Sequence, residues 1–276
     1  CRHKGHRGLC EYAKLRGWVE GLANNYQLLA IATLLNLLII KEYPMSQGTV
    51  SLPLVSVLMT TYNGATQLRE TIDSILNQTF DDFEFLIIDD CSTDQTVAVI
   101  REYDDPRIVL ARNESNQGIS NSRNRALQLA RGTFIATTDQ DDVSAPERLE
   151  RQVRCLQTRE DIAVVASRVY LLIDGVRTDD PMPVQSEPIL IHFALYFGRH
   201  NTTYSSLCMR KQFIVDHQLY FDQRYHYAED YELYSRMIEC GQFTILPQPL
   251  VSYRVHNSSN SRIHTEEMWR NGMSFM

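Results

Sequence analysis

Residues 133–142, TFIATTDQDD, carry a short apolar run directly into three carboxylates, Asp139, Asp141 and Asp142. The run 133–138 predicts a β-strand, so the acidic side chains should lie where that strand leaves the core. Like charges this close repel each other and resist burial unless a cation or strong hydrogen-bond donors lie among them. The motif indicates either a Mg²⁺ or Mn²⁺ site that also takes substrate phosphates, or a solvated turn that caps the next helix. The neighbouring strand ends favour the metal site.

Composition narrows the classes of function. The 276-residue chain carries a formal net charge of −7. Nucleic-acid binding generally needs Lys and Arg clustered on one face, so this charge argues against a nucleic-acid partner. The six cysteines are dispersed, without a CxxC pair, which predicts neither a zinc site nor a disulfide framework. Reduced thiols are typical of the cytosol, and we predict a cytoplasmic protein.

The first 45 residues differ from the rest of the chain. They open with the basic stretch CRHKGHRG and contain the apolar run YQLLAIATLLNLLII at 26–40. This run is shorter than the roughly 20 apolar residues of a membrane-spanning helix. It is a membrane-associating helix, an ordinary buried helix, or part of a non-native segment that precedes a natural start at Met45. We favour the third interpretation and keep peripheral membrane association as its alternative.

From residue 52 onward, short β-rich runs alternate with amphipathic helices, a pattern typical of a parallel sheet covered on both faces. The predicted strands are 54–61, 83–88, 107–111, 133–138 and 250–255. The predicted helices are 68–76, 93–103, 119–131, 144–158 and one that opens near Ala228. Ser144 and Glu147 have the spacing of a capping box at the start of the helix 144–158.

Three polar segments follow predicted strands and should therefore meet at one rim of the sheet, where open parallel sheets bind ligands. They are 60–63 (TTYN), 89–92 (DDCS) and the acidic turn 139–142. Tyr62 is suited to stack on a planar base, Asp89 to accept a hydrogen bond from a ring N–H, and the acidic turn to hold a metal near phosphates. Tyr62 as a packing residue, and Asp89 and Asp90 as helix N-caps, are the structural alternatives.

Five segments of the chain occur in a characteristic order. They are SVLMTTYNG at 56–64, FLIIDDCSTDQT at 85–96, NQGISNSRNRAL at 116–127, GTFIATTDQDDVSAPERLERQV at 132–153 and AEDYELYSRM at 228–237. Together they resemble the family 2 glycosyltransferases of the GT-A fold, over roughly residues 52–261. The resemblance implies an α/β fold with a Rossmann-like, mostly parallel central sheet flanked by helices, and a smaller mixed subregion on the acceptor side.

The resemblance also implies a domain organisation and an activity. Residues 46–276 would form one catalytic domain, with a nucleotide-binding half at 46–150, an acceptor and base half at 151–262, and at 263–276 the start of a helix that the chain end cuts short. The implied reaction transfers a sugar from a nucleotide donor, most often UDP-linked, with inversion at the anomeric carbon. A divalent metal, Mn²⁺ or Mg²⁺, would hold the diphosphate.

Matching positions name the expected donor-site residues. The residues expected to bind the nucleotide are Thr60, Tyr62, Asp89, Asp90, Arg123 and Asp139. For Arg123 a salt bridge is the alternative. Asp141 and Asp142 are expected on the metal, and His256 in the segment SYRVHNSSNS is a third candidate, with a purely structural role as its alternative.

Glu229 and Asp230 open the last predicted helix, and the resemblance implies that Asp230 is the catalytic base, with Glu229 in support. A single displacement needs one carboxylate that removes the proton of the acceptor hydroxyl as the new bond forms. The alternative is that both acids only favour the helix N-terminus through its dipole.

The expected partners are a nucleotide-sugar donor and a saccharide or lipid-linked saccharide acceptor, at the cytoplasmic face of a bacterial membrane. A non-catalytic nucleotide-sugar-binding module is the nearest alternative, but every required carboxylate is present. A receiver-like signalling domain fits poorly, because the predicted third strand ends in Ala111-Arg112-Asn113 without an acceptor aspartate. No GxGxxG follows the first strand, which argues against a dinucleotide-dependent oxidoreductase.

Overall fold

The structure is a computed structural model that describes residues 52–184, 190–191, 194, 202–256 and 266. All of these belong to one compact unit, Leu52–Met276. The expected extension at 1–45 lies outside the described residues, as does the expected helix at 263–276 apart from residue 266. Within the described part, no helix combines the length and the apolarity that a membrane span requires.

A single sheet of nine strands runs through the described residues. The strands are β1 (Val55–Thr61), β2 (Phe83–Asp89), β3 (Ile108–Arg112), β4 (Phe134–Thr138), β5 (Val143–Ser144), β6 (Ile162–Ile173), β7 (Val176–Arg177), β8 (Cys208–Arg210) and β9 (Gln242–Val255). Their order across the sheet is β3-β2-β1-β4-β8-β6-β9-β5, and β7 pairs with β6 beside this path.

Helices cover both faces of this sheet. They are α1 (Leu68–Leu76), α2 (Thr96–Arg101), α3 (Ile119–Leu129), α4 (Arg148–Thr158), α5 (Lys211–Asp216) and α6 (Glu229–Cys240), with a 3₁₀ turn at Tyr204–Ser206. Alternate residues of the central strands point to opposite faces, so Leu58 belongs to one apolar cluster with α3 and α6, whereas Val57 and Met59 belong to a second with α1 and α4.

The four strands β3, β2, β1 and β4 are parallel, as the alternation of short β-rich runs with amphipathic helices predicts. Thr61 pairs with Asp89, Asp89 with Arg112, and Met59 with Thr138. The carboxyl ends of these strands therefore meet at one rim. The predicted Rossmann-like half of the molecule is confirmed.

The other half of the sheet is mixed. Strand β8 is antiparallel to both β4 and β6, whereas β6 and β9 run parallel to each other. β9 begins at Gln242, eight residues before the predicted strand, and its pairing shifts register where Leu246 gives way to Pro249. Proline lacks the N–H that a ladder needs, so Pro247 and Pro249 make this segment look unlike a strand in the sequence.

The expected capping box at Ser144 is wrong. Ser144 belongs to β5, where it pairs with Val251 of β9, and α4 begins only at Arg148. The Ser144 hydroxyl instead accepts a hydrogen bond from Arg148 Nη1 at 3.0 Å. Pairing with β9 holds residue 144 in an extended conformation and ties the acidic turn to the far edge of the sheet.

Candidate active site

The loop after β1 presents an exposed aromatic ring at the rim. Thr60 is half-buried, whereas Tyr62 is 46% exposed, which argues against a packing role for its ring. The next residue, Asn63, has a left-handed backbone with φ 49°. Its N–H donates to Ser92 Oγ at 3.0 Å, and its side-chain oxygen accepts from the Thr93 N–H at 2.9 Å. The loop after β2 thus fixes the backbone that carries Tyr62.

Asp89 ends β2 and is fully buried. Its carboxylate accepts hydrogen bonds from the Ser92 N–H at 3.2 Å and from Arg112 Nε at 3.0 Å. The helix-capping alternative does not describe Asp89, because the side chain that accepts the Thr96 N–H at the start of α2 is that of Asp94. Arg112 therefore pairs with the buried carboxylate of Asp89 at the predicted nucleobase pocket. The contact of Asp89 with a nucleobase remains a prediction.

Asp90 organises the chain that leads into α3. Its carboxylate accepts from Asn113 Nδ2 at 2.6 Å and from the N–H groups of Gln117 at 2.8 Å and Gly118 at 2.9 Å. Gly118 has φ +81°, a conformation that glycine adopts without steric cost. With its oxygens engaged in this way, Asp90 is better suited to position the loop before α3 than to contact a nucleotide.

Arg123 forms the salt bridges that were the alternative to nucleotide contact. The side chain is 4% exposed, with Nη2 2.9 Å from Asp139 Oδ1 and Nη1 2.9 Å from Glu229 Oε1. The guanidinium carbon also lies 3.6 Å from the centroid of the Tyr204 ring. Burial alone would lower the pKa of Arg123, but the surrounding acids outweigh it and raise this pKa. One cation thus joins the acidic turn to the start of α6.

The acidic turn is held by Ser205 of the 3₁₀ turn and by the backbone of Arg254. The Asp139 N–H donates to Ser205 Oγ at 3.1 Å, and the same hydroxyl hydrogen-bonds Asp142 Oδ2. Asp142 Oδ1 accepts the Arg254 N–H at 2.8 Å. Burial, together with the charges of Asp141 and Asp139, raises the pKa of Asp142 well above its ordinary value. Asp142 is buried and committed to protein donors.

Asp141 and His256 are the pair that suits a cation. Asp141 Oδ2 lies 2.8 Å from His256 Nε2, and their side chains are 22% and 24% exposed. Burial and the charge of Asp139 raise the pKa of Asp141. No group of three or more His, Cys, Asp or Glu is gathered as a metal site within the described ranges. The donor set fits an ion that takes one or two protein ligands and completes its coordination with phosphate and water oxygens.

Asp230 lies in the first turn of α6, where its Oδ1 accepts the Tyr231 N–H at 2.8 Å. Burial and the neighbouring carboxylate of Glu229 raise the pKa of Asp230 to about 7, while Arg123 opposes this shift. An acid with a pKa near neutrality is suited to general base catalysis. Its position is also compatible with the helix-dipole alternative, which explains its place but not its perturbed pKa.

Several residues that build the site were not singled out in the sequence. Tyr204 and Ser205 belong to a short 3₁₀ turn, and the tertiary fold brings Ser205 to the acidic turn and the Tyr204 ring to Arg123. Gln140 reads as a spacer between acids, although its side chain contacts the loop after β1. Arg112 pairs with Asp89 and the backbone of Arg254 binds Asp142, and nothing in the sequence around either arginine indicates these contacts.

Comparison with known sequences gives one family. The profile described as Glycosyl transferase family 2 matches residues 56–236. The chain is 34% identical to the uncharacterized glycosyltransferase MJ1057 of Methanocaldococcus jannaschii over 232 residues, which cover 80% of this chain and 78% of that protein. It is 28% identical to the UDP-Glc:alpha-D-GlcNAc-diphosphoundecaprenol beta-1,3-glucosyltransferase WfaP of Escherichia coli, with coverage of 79% and 83%.

Among solved structures, the chain is similar to S. aureus TarS 1-349 crystallised in complex with UDP-GlcNAc. The TM-score is 0.65 at 23% sequence identity, and the match covers 74% of this chain and 59% of the TarS chain. At this identity the likeness establishes the fold, and it agrees with the parallel and mixed halves described above. The chain therefore belongs to glycosyltransferase family 2 and is a transferase with the GT-A fold.

Proposed function

We propose that this chain is an inverting glycosyltransferase that moves a sugar from a UDP-linked donor to a hydroxyl of a saccharide or glycolipid acceptor by single displacement. The observation that carries the proposal is the bridging guanidinium of Arg123. Its two terminal nitrogens pair with Asp139 and with Glu229. Asp139 belongs to the predicted donor side, and Glu229 precedes the predicted base. One buried side chain thus links the predicted donor rim to the helix that carries the predicted base.

Asp230 is assigned the role of base. In its deprotonated form the carboxylate accepts the proton of the acceptor hydroxyl while the hydroxyl oxygen bonds to the anomeric carbon and the bond to the diphosphate breaks. A pKa of about 7 keeps a large fraction of Asp230 deprotonated at neutral pH and leaves it basic enough to take that proton. Glu229 supports this role by raising the pKa of Asp230, and Arg123 by holding Glu229 in place.

A nucleotide diphosphate donor is supported by the rim. Tyr62 offers an exposed ring for a base, and Asp89 a buried carboxylate next to it. The choice of UDP is supported by two similar proteins, since TarS was crystallised with UDP-GlcNAc and the name of WfaP gives UDP-Glc as its donor. The identity of the sugar does not follow from these contacts.

Asp141 and His256 would hold a Mn²⁺ or Mg²⁺ ion, because they offer a carboxylate oxygen and a ring nitrogen at a partly exposed position. When bound, the ion supplies charge neutralisation for the departing diphosphate. The protein keeps this pair in place through Arg254, whose Nε donates to the Asp141 carbonyl at 2.7 Å. Asp142 and Ser205 fix the turn from its buried side.

A lipid-linked saccharide acceptor is supported by the name of WfaP, whose acceptor is GlcNAc-diphosphoundecaprenol. Such an acceptor is held in a membrane, so we assign the protein to glycan assembly at the cytoplasmic membrane face.

A single experiment tests the proposed function. The wild-type chain is incubated with UDP-, GDP- and dTDP-sugars, Mn²⁺ and a polyprenyl-diphosphate GlcNAc acceptor, and product formation is followed with NMR of the new anomeric centre. We expect transfer from a UDP-sugar with inversion. Asp230→Asn should abolish transfer and leave UDP affinity within about twofold, because the base acts in the chemical step.

Glu239→Gln, an exposed substitution at the other end of α6, is the matched control and should be fully active. Retention of anomeric configuration, or full activity of Asp230→Asn, would contradict the proposed function.

A further inference from the structure

We propose that Gln140, the residue between the first two acids of the turn, is a positioning residue that sets the spacing between the nucleoside loop and the acidic turn. The nucleoside loop is defined as residues 61–64, and the acidic turn as residues 139–142. The inference rests on the proposed function, because that function assigns the nucleobase of the donor to the loop and its diphosphate to the turn. It concerns a residue that touches neither the reacting atoms nor the proposed cation.

The contacts of Gln140 run directly from the turn to the loop. Its Oε1 accepts a hydrogen bond from Thr61 Oγ1 at 2.6 Å and another from the Tyr62 N–H at 3.0 Å. Its backbone carbonyl accepts from Thr71 Oγ1 of α1 at 3.0 Å. A single amide oxygen therefore holds both the last residue of β1 and the backbone of the exposed tyrosine.

Gly64 provides the space that this amide occupies. A Cβ atom added at Gly64 would lie 2.3 Å from Gln140 Oε1 and 2.6 Å from Gln140 Cδ, closer than any real Cβ contact. A side chain at position 64 would therefore displace the Gln140 amide, and the backbone angle of the glycine is not what matters here. The Gln140 side chain thus fills the space next to Gly64 at the rim of the sheet.

The loop and the turn each have other anchors of their own. The loop is tied to the chain after β2 by the N–H groups of Asn63, which donates to Ser92 Oγ, and of Gly64, which donates to Thr96 Oγ1 at 2.9 Å. The turn is tied to Ser205 and to the backbone of Arg254. Loss of the Gln140 amide should therefore leave both segments folded and change only their relative position.

That relative position matters for a ligand that spans both segments. A nucleoside diphosphate places its base at the loop and its phosphates at the turn, so misplacement of one segment against the other weakens the binding of the whole molecule. The loss should be largest when Mn²⁺ ties the phosphates to the turn. It should be small when the metal is removed and the loop dominates binding.

The test compares Gln140→Ala with the wild-type chain in two measurements. In the first, amide hydrogen exchange is followed without ligand, and we expect faster exchange at the Tyr62 amide because it loses its acceptor. In the second, UDP affinity is measured with Mn²⁺ and with EDTA. We expect the gain in affinity that Mn²⁺ provides to fall by about tenfold, the size of one or two lost hydrogen bonds.

Gln212→Ala is the matched control, since among the described residues its amide bonds only Asp216, on the surface of α5. It should change neither measurement. Equal weakening of UDP binding with Mn²⁺ and with EDTA in Gln140→Ala would overturn the inference, because that is the result of general loosening. Unchanged exchange at Tyr62 would overturn it as well.

A double-mutant cycle provides a second readout. Gly64→Ala should by itself speed exchange at Tyr62 and weaken UDP binding, because its methyl group displaces the Gln140 amide. In the Gln140→Ala background the same substitution should have much less effect, since the two closest atoms it meets belong to the Gln140 amide and only Thr61 Oγ1, at 3.0 Å, remains of the three nearest. Additive effects would contradict the pairing. If the wild-type chain binds no nucleoside diphosphate, the proposed function fails, while the exchange measurements and their cycle still decide the role of Gln140.

Discussion

Arg123 Nη1 lies 2.9 Å from Glu229 Oε1, and this buried ion pair joins two residues that are 106 positions apart in the chain. The same guanidinium binds Asp139 and stacks on Tyr204. Removing one partner of a buried charge network leaves the remaining charges uncompensated, which costs far more than an exposed pair does. The position of the start of α6 therefore depends on a cation that belongs to α3.

Replacement of Arg123 should reduce both stability and activity. Arg123→Ala leaves Glu229 and Asp139 without their shared cation, and we expect a loss of about 3 kcal/mol in the free energy of unfolding. Arg123→Lys keeps the charge but cannot bridge two carboxylates, so it should fold better than the alanine variant and still lose at least about tenfold in kcat. Urea unfolding and steady-state kinetics provide the two measurements.

Arg159→Ala, which removes an exposed pair with Asp161, is the control and should leave the unfolding midpoint almost unchanged. A fully active Arg123→Lys enzyme would show that the bridge has no part in positioning the base.

The pH dependence of transfer should report Asp230. Its pKa is raised to about 7, and only the deprotonated carboxylate accepts a proton. Below pH 7 the proton stays on Asp230, so kcat/KM should fall about tenfold for each unit of decreasing pH, and above pH 7 it should level off. The measurement is a profile of kcat/KM from pH 5 to 9 with saturating Mn²⁺. A profile that is flat through pH 6 would remove Asp230 from the role of base.

Ser205 should matter for the donor site although it bonds no ligand in our account. Ser205→Ala removes the buried hydroxyl that accepts the Asp139 N–H and hydrogen-bonds the buried Asp142. We expect a loss of about 1–3 kcal/mol in the free energy of unfolding and weaker UDP binding in Mn²⁺. Ser235→Ala serves as control, because the Ser235 hydroxyl donates to the Glu232 carbonyl of its own helix. Undiminished UDP binding in Ser205→Ala would show that the turn keeps its shape without this hydroxyl.

The Mn²⁺ dependence of UDP binding should show whether Asp141 binds the metal or whether its removal only changes the net charge. Asp141→Ala should abolish most of the affinity for UDP that Mn²⁺ provides, because it removes the carboxylate best placed for the ion. Asp161→Ala, which removes an exposed acid that pairs with Arg159 outside the acidic turn, should retain the full Mn²⁺-dependent gain in UDP affinity. Calorimetric titration of UDP with Mn²⁺ and with EDTA decides between them, and an intact Mn²⁺ response in Asp141→Ala would exclude it as a ligand.

The parallel half of the fold was predictable from the sequence because β1, β2 and β4 are continuous apolar runs, each followed by polar residues at the same rim. The mixed half was not. β8 is only three residues long, and β9 contains two prolines, so neither resembles an isolated strand. For the site, the motifs singled out the carboxylates Asp89, Asp141 and Asp230 as candidates because their residue types and spacing indicate a chemistry, and their roles stay predictions.

The sequence did not indicate the groups that position those carboxylates. Ser205 contacts Asp142 across 63 residues, and Gln140 contacts Thr61 across 79. Both are ordinary polar residues whose roles depend on the tertiary fold. Arg123 was expected near the nucleotide or in a salt bridge, and only the position of α6 shows which acid it meets.

A crystal structure of the chain with UDP and Mn²⁺ is the decisive measurement for the proposed donor site. We expect Mn²⁺ at about 2 Å from an oxygen of Asp141 and from the diphosphate, with the uracil ring beside Tyr62 and Asp89. A cation bound elsewhere, or a diphosphate that lies away from Asp139 and Asp141, would contradict the proposed site.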